Sequence, residues 1–189
     1  MNSRSIPRIV SRKASILSPW VRLVERHVDF GDGKIEVYHA IDQDDYIAIL
    51  AVTPDGLIPV VRQYRPALER FTLELPAGLV EPGETPEQTC IRELREETGL
   101  VSRTVHSLGV HAPDTARLSN KIFSFCVETY PYSDTRGTEP QIEVDLVTFG
   151  RLCSSILAGD FDLQSHIGTV ALAMLNPDLR SLLIPMNAL

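Results

Sequence analysis

Residues 78–100 read GLVEPGETPEQTCIRELREETGL and set the glutamates Glu84, Glu93, Glu96 and Glu97 on or beside a single predicted helix. Thr85 is placed to cap its N-terminus, Pro86 suits the first helical position, and Gln88 completes a Thr-x-x-Gln capping box. Gly99 is placed to end the helix in a left-handed cap. Glu93 lies three residues from Glu96 and four from Glu97, so the three carboxylates project to one side. Cys90, Ile91, Leu94 and Thr98 form a second, mostly apolar stripe that is expected to face a core. Each like-charge pair costs about 0.2–0.5 kcal/mol on an exposed helix and more in a cleft. A solvated acidic face tolerates that cost; a hard divalent cation, which prefers carboxylate oxygens, removes it.

A chain of 189 residues makes one medium domain, or one domain with a short appendage. The net charge of −7 argues against a general nucleic-acid binder, which presents a basic face. Cys90, Cys126 and Cys153 have no zinc-type spacing and are too few for a disulfide framework, so a reducing cytoplasm is the expected location. No apolar run approaches the ~18 residues that cross a membrane. From Met1 to Val24 there is no acidic residue, while Arg4, Arg8, Arg12, Lys13 and Arg22 stand among serines. That composition is shared with organelle transit peptides, but Pro7 and Pro19 interrupt a long amphipathic helix, and an N-terminal arm is the reading preferred.

Trp20–Phe30 and Lys34–Ile41 are β-prone and separated by Gly-Asp-Gly, a hairpin pattern. Asp42–Asp45 reads as a linker. Tyr46–Val52 is a continuous apolar strand, and a Thr53-Pro54-Asp55-Gly56 turn leads to a second at Leu57–Tyr64. Phe71–Leu75 runs into a Pro76-Ala77-Gly78 loop ahead of the glutamate helix. Further strands are expected at Thr104–His111, Lys121–Glu128 and Ile142–Phe149, with helices at Arg151–Ala158 and Ser165–Leu175. In the last helix Ile167, Val170, Ala171, Met174 and Leu175 form the expected core face. Strands flanked by helices, with hairpins among them, suggest an α/β fold with a mixed sheet between helical layers.

Gly78, five residues, Glu84, seven residues, Arg92-Glu93-Leu94, one residue, Glu96-Glu97, one residue and Gly99-Leu100 together resemble the complete signature of the Nudix hydrolase family. The resemblance implies an α/β/α sandwich over residues 43–189, with residues 1–42 as an additional hairpin arm. It also implies that Glu93, Glu96 and Glu97 hold Mg2+, with Mn2+ as a substitute, and that the carbonyl of Ala77 completes the site. Glu84 would reach the same ions through water. Arg92 is read as an ion-pair partner that orients these carboxylates, against the plainer reading of a surface residue.

Val61-Arg62-Gln63-Tyr64-Arg65-Pro66 and Glu74-Leu75-Pro76-Ala77-Gly78 resemble segments of the ADP-ribose pyrophosphatase branch. There the arginine matching Arg65 contacts the substrate diphosphate, to which a guanidinium forms two parallel hydrogen bonds; Arg62 stands beside it as a second candidate. Ser18-Pro19-Trp20-Val21-Arg22-Leu23 resembles the branch's opening strand. This implies a homodimer in which Trp20, and approximately Tyr38, sandwich a nucleotide base. Packing of the only Trp in a hairpin or dimer core is the competing reading. Downstream, Ala116-Arg117 occupies the place of a usual Pro-Gly, which loosens the link to ADP-ribose among nucleoside diphosphate sugars. In the segment Gly137–Val144 the expected position of the branch's water-activating carboxylate falls close to Pro140; Glu139, one residue away in the loop, is the candidate, with Glu143, already inside the predicted strand, in reserve.

The expected activity is therefore Mg2+-dependent hydrolysis of a nucleoside diphosphate sugar to a nucleoside monophosphate and a sugar phosphate. The alternatives are a Nudix hydrolase of nucleoside triphosphates, dinucleoside polyphosphates or capped RNA, and a non-catalytic ligand-binding module.

Overall fold

The protein is described here by a computed structural model that covers residues 6–131 and 139–184. Arg4 and residues 132–138, among them Gly137 and Thr138, lie outside the described residues. The chain forms two compact units. One reaches to Asp45 and takes in Ala112–Lys121; the other comprises Tyr46–His111 and the chain from Ile122 onward.

The first unit is a three-stranded antiparallel sheet of β1 (Arg8–Ser18), β2 (Val21–Asp29) and β3 (Ile35–Asp42), in that order. The predicted hairpin is β2–β3, with Arg22 opposite Asp42 and Asp29 opposite Ile35. The basic stretch read as an arm supplies β1. Its serines are interspersed with apolar and basic residues, and Lys13 lies opposite Glu25. Asp42–Asp45 is tied down rather than free. The Asp44 carbonyl accepts from Asn120 Nδ2 at 3.2 Å, and Asp45 Oδ1 accepts from the Lys121 N–H at 2.7 Å.

The second unit is an α/β/α sandwich. One sheet has the order β7-β4-β9-β8, from Ala77–Leu79, Tyr46–Val52, Ile122–Thr129 and Ser102–His111. It is mixed, because β4 runs parallel to β9 and antiparallel to β7. A second, antiparallel sheet has the order β10-β5-β6, from Glu143–Thr148, Leu57–Arg65 and Arg70–Glu74. The helices are α1 (Pro86–Thr98), α2 (Phe149–Ala158), α3 (Gln164–Leu175) and α4 (Pro177–Leu183).

Strand β4 explains the two helical layers. Side chains alternate across a strand, so Ile47, Ile49 and Ala51 pack with Cys90 and Leu94 of α1. Leu50 and Val52 point the other way, into a core with Leu152, Phe161, Val170 and Leu183. A strand buried on both faces reads as a continuous apolar run, as this one does.

Two local expectations are corrected. Pro76-Ala77-Gly78 is not simply a loop: Ala77–Leu79 pairs with Tyr46–Ala48 as β7. In α3 the buried positions are His166, Thr169, Val170 and Ala173, while Ala171 and Leu175 are exposed. The helix is apolar nearly all round, so periodicity leaves its facing ambiguous. The two polar residues turn inward because they find partners. His166 Nδ1 accepts from the Leu75 N–H at 3.1 Å, and Thr169 shares a 2.9 Å hydrogen bond with Ser124.

His166 is neutral by necessity. Its Nδ1 is an acceptor, and burial lowers its pKa from 6.5 to about 4. A histidine depressed in the folded state stabilises the fold above its unfolded pKa and loses that contribution as pH falls. Between pH 6.5 and 4 the loss is on the order of 2–3 kcal/mol. Urea midpoints of the protein and of His166→Gln, whose amide oxygen still accepts, are expected to diverge in that window, with the variant falling less. Parallel pH profiles would contradict this.

Candidate active site

Helix α1 begins and ends as its sequence predicts. Thr85 Oγ1 accepts from the Gln88 N–H at 3.2 Å, and Gln88 Oε1 accepts from the Thr85 N–H at 2.8 Å. Gly99 adopts φ 73°, left-handed space that favours glycine, and donates to the Arg95 carbonyl. Cys90, Leu94 and Thr98 face the core, but Ile91 does not: it is 43% exposed. Instead the helix buries a second flank, including Glu93 and Glu97 at 8% and 5% exposure. A hydrophobicity pattern cannot anticipate that, because the buried groups are carboxylates.

Arg92 gathers the cluster. Its Nε and Nη2 donate to the two oxygens of Glu84 at 2.9 and 3.0 Å, and its Nη1 donates to Glu93 at 2.8 Å and to Glu96 at 2.9 Å. Hydrogen bonds from Arg92 and from Thr89 Oγ1 at 2.8 Å hold the Glu84 carboxyl at about 2. The hydrogen bonds to Glu84, Glu96 and Glu93 in turn raise the Arg92 pKa, keeping its charge fixed. Gly78 packs against Glu93 so closely that a Cβ there would lie 2.0 Å from Oε1 and 2.1 Å from Cδ. Any larger residue at 78 displaces that carboxylate.

Glu97 accepts from the Ala77 N–H at 3.0 Å through Oε2. Burial pushes its pKa up to about 8 against that hydrogen bond, and the charges of Glu93 and Glu139 push it the same way. Burial likewise raises Glu93, opposed by Arg92 and reinforced by Glu96 and Glu139. One guanidinium thus faces more negative charge than it can neutralise. Carboxylate oxygens of Glu93, Glu96 and Glu139 lie within 4.8 Å of one another. An all-oxygen donor set of this density, with charge left over, fits a hard divalent cation.

Glu139 therefore lies with the α1 glutamates. Glu143 does not: it starts β10 and pairs with Arg62 at 3.0 Å. Arg62 and Arg65 are three residues apart on β5 and so face opposite sides of its sheet. The Arg62 guanidinium stacks 4.4 Å from the Phe71 ring centroid. Arg65 faces the other way, where its charge is felt by Glu97. Its Nε and Nη2 donate to Glu74 at 2.7 and 2.5 Å, and Thr72 Oγ1 donates to Glu74 Oε1 at 2.6 Å. The sequence alone does not mark Glu74, Thr72 and His166 as site residues. Thr72 and Glu74 are two apart on a strand, which did signal a shared polar face.

In the first unit, Trp20 is 66% exposed and borders a groove of about 180 Å3 with Ile16, Pro19, Arg22 and Asp42. Tyr38 lies opposite Arg26, donates to Glu36 at 3.0 Å, and has its ring 5.9 Å from Phe30. The register therefore does not set Trp20 and Tyr38 across from each other.

Residues 43–152 match the NUDIX domain, and the chain belongs to the NUDIX family. An ADP-ribose pyrophosphatase of Bacillus subtilis is 41% identical over 83 residues, 44% of this chain and 45% of that protein. An ADP-ribose pyrophosphatase of Mycobacterium tuberculosis is 44% identical over 73 residues, 38% of this chain and 35% of that one. The chain thus spans half or less of the length of these curated relatives. A crystal structure of an ADP compounds hydrolase superposes with a TM-score of 0.78 at 21% identity, over 93% of this chain and 96% of that chain. It shares the fold.

The state of Glu97 gives a measurable consequence. Its folded pKa of about 8 lies above the ordinary 4.5. Its contribution to stability is therefore complete below 4.5 and is lost as pH rises through 8. With a chelator present, Glu97→Gln is expected to be more stable than the parent by about 3 kcal/mol at pH 7. The difference should vanish near pH 4. Denaturant midpoints that differ equally at both pH values would contradict the buried-carboxylate account.

Proposed function

We propose that the protein hydrolyses the diphosphate bond of a nucleoside diphosphate sugar of the ADP-ribose kind, giving a nucleoside monophosphate and a sugar phosphate. The observation that carries the reading is the convergence of Glu93, Glu96 and Glu139 beside the buried Glu97. The printed names of the pyrophosphatase relatives support the substrate class.

Glu93, Glu96, Glu97 and the Ala77 carbonyl would hold Mg2+, or Mn2+ in its place. Such an ion neutralises charge developing on the phosphoryl oxygens. The protein's own groups account for the rest. Arg65 faces the side of β5 where Glu97 feels its charge, and it binds a diphosphate oxygen. Arg92 keeps Glu84, Glu93 and Glu96 aimed. Glu139 takes the proton of a water whose oxygen bonds to one phosphorus as the bridging oxygen leaves on the other phosphate. Glu139 is favoured over Glu143 because Glu143 is engaged with Arg62. Arg62 then acts from the far face of β5, as a support for Phe71 rather than a direct contact.

Trp20, half free of its own sheet, offers a ring on which a base stacks, a contact worth ~1–3 kcal/mol. Tyr38 serves the same end from β3. Ile9, Val10, Ile16, Leu17, Phe30 and Val37 are also exposed in this unit, and two copies of the chain associate through its sheet. Cys90 and Cys126 are buried thiols without a disulfide, in keeping with work in a reducing cytoplasm. No helix among the described residues is long and apolar enough to cross a membrane.

Purified protein incubated with ADP-ribose, ADP-glucose, GDP-mannose, ATP and diadenosine polyphosphates tests the reading. The expected result is Mg2+-dependent release of a nucleoside monophosphate from a diphosphate sugar, by a protein that sediments as a dimer. Turnover of ATP or diadenosine polyphosphates alone would move it to another substrate class. No turnover of any of them by folded protein would overturn it.

A further inference from the structure

We infer that Glu74 is a positioning residue that presents Arg65 to the substrate diphosphate; the inference rests on the function proposed above. Glu74 is 2% exposed, whereas the Arg65 side chain is 42% exposed. The carboxylate is thus the fixed end of the pair and the guanidinium the end that meets solvent.

The register shows how far the arginine must reach. Arg65 lies opposite Arg70 at the tip of the β5–β6 hairpin, and Glu74 lies opposite Val61. Four strand positions, roughly 13 Å, separate their backbones along the sheet. Arg65 therefore lies down along the face that carries Gln63 and Thr72, towards the side chain of Glu74. Among the described residues its hydrogen-bond acceptors are the two oxygens of Glu74, at 2.7 and 2.5 Å. That fork uses Nε and one hydrogen of Nη2, leaving both hydrogens of Nη1 and the second of Nη2 for a ligand.

Glu74 is itself fixed. Thr72 Oγ1 donates to it at 2.6 Å, and the next residue, Leu75, is pinned through its N–H to His166 of α3. Burial pushes the pKa of this carboxyl up, but the hydrogen bonds from Arg65 and Thr72 outweigh burial and hold it below the ordinary carboxylate value. A long, rotamer-rich side chain is thus held in one orientation before any ligand arrives, and less freedom is lost on binding.

A double-mutant cycle with Mg2+ and inorganic pyrophosphate as the probe, read by calorimetry, tests the role without turnover. Glu74→Gln keeps the size and the Thr72 contact but loses the ionic fork. It is expected to weaken pyrophosphate binding about tenfold and to raise KM for the hydrolysed substrate more than it lowers kcat. Glu74→Asp, with a shorter carboxylate, should recover part of the loss. In an Arg65→Ala background, adding Glu74→Gln should change the pyrophosphate affinity less than twofold, because Glu74 acts only through Arg65. Circular dichroism confirms that each variant is folded; if Glu74→Gln is not, the cycle is run with Glu74→Asp. Losses that multiply in the double variant, an unchanged affinity in Glu74→Gln, or no pyrophosphate binding by the parent would each overturn the role. Absence of hydrolysis by a parent protein that binds pyrophosphate, with the cycle intact, would overturn the proposed reaction instead.

Discussion

Negative charge held out of water is the constraint around which the second unit is organised. Glu93 and Glu97 are buried beside Glu96 and Glu139, and Arg92 is the guanidinium placed among them. Desolvation makes each ionised carboxylate costly, and repulsion compounds the cost. The protein meets part of it with Arg92 and part with the Ala77 N–H on Glu97. The remainder shows in the raised pKa values of Glu93 and Glu97. A fold selected only for stability would not keep that remainder; a site that takes up a cation uses it.

The rest of the sandwich holds this arrangement still. The link from β6 to β7 is fixed at three successive residues. Leu75 donates to His166, the Pro76 carbonyl accepts from Ile49 at 2.9 Å, and Ala77 donates to Glu97. These bonds reach α3, the central strand β4 and α1, so both helical layers bear on the same short segment. Gly78 follows at once, where only the absence of a Cβ lets Glu93 approach. The two-sided burial of β4 brings those layers within reach of one another. Stability of the layers thus becomes precision at the carboxylates.

Much of this was legible in the sequence because it depends on local rules. The capping box at Thr85 and Gln88, the stop at Gly99 and the double-faced run Tyr46–Val52 are short-range patterns, and each appears as read. What was not legible depends on partners distant in sequence. His166 looks like a surface polar residue until Leu75 comes to meet it, and Glu74 looks like a strand-end acid until Arg65 lies along the sheet. Ile91 sits on the apolar stripe but is exposed, because carboxylates claimed the neighbouring flank. The strand β1 was hidden for a different reason: its basic, serine-rich composition signals no core, and its pairing with β2 supplies the structure. Among candidate site residues, Arg62 and Arg65 are close in sequence, yet strand alternation sends them to opposite faces.

The chain belongs to the NUDIX family, and the charge imbalance at the α1 glutamates says what a bound cation must offset in this chain. Its most direct test is a titration of metal-free protein with Mn2+ at pH 7 in lightly buffered solution, with released protons counted alongside bound ions. The account predicts saturable binding accompanied by proton release, because Glu97 must give up its proton to a cation. It predicts that Glu97→Gln reduces both. Binding without proton release, or no saturable binding at all, would contradict it.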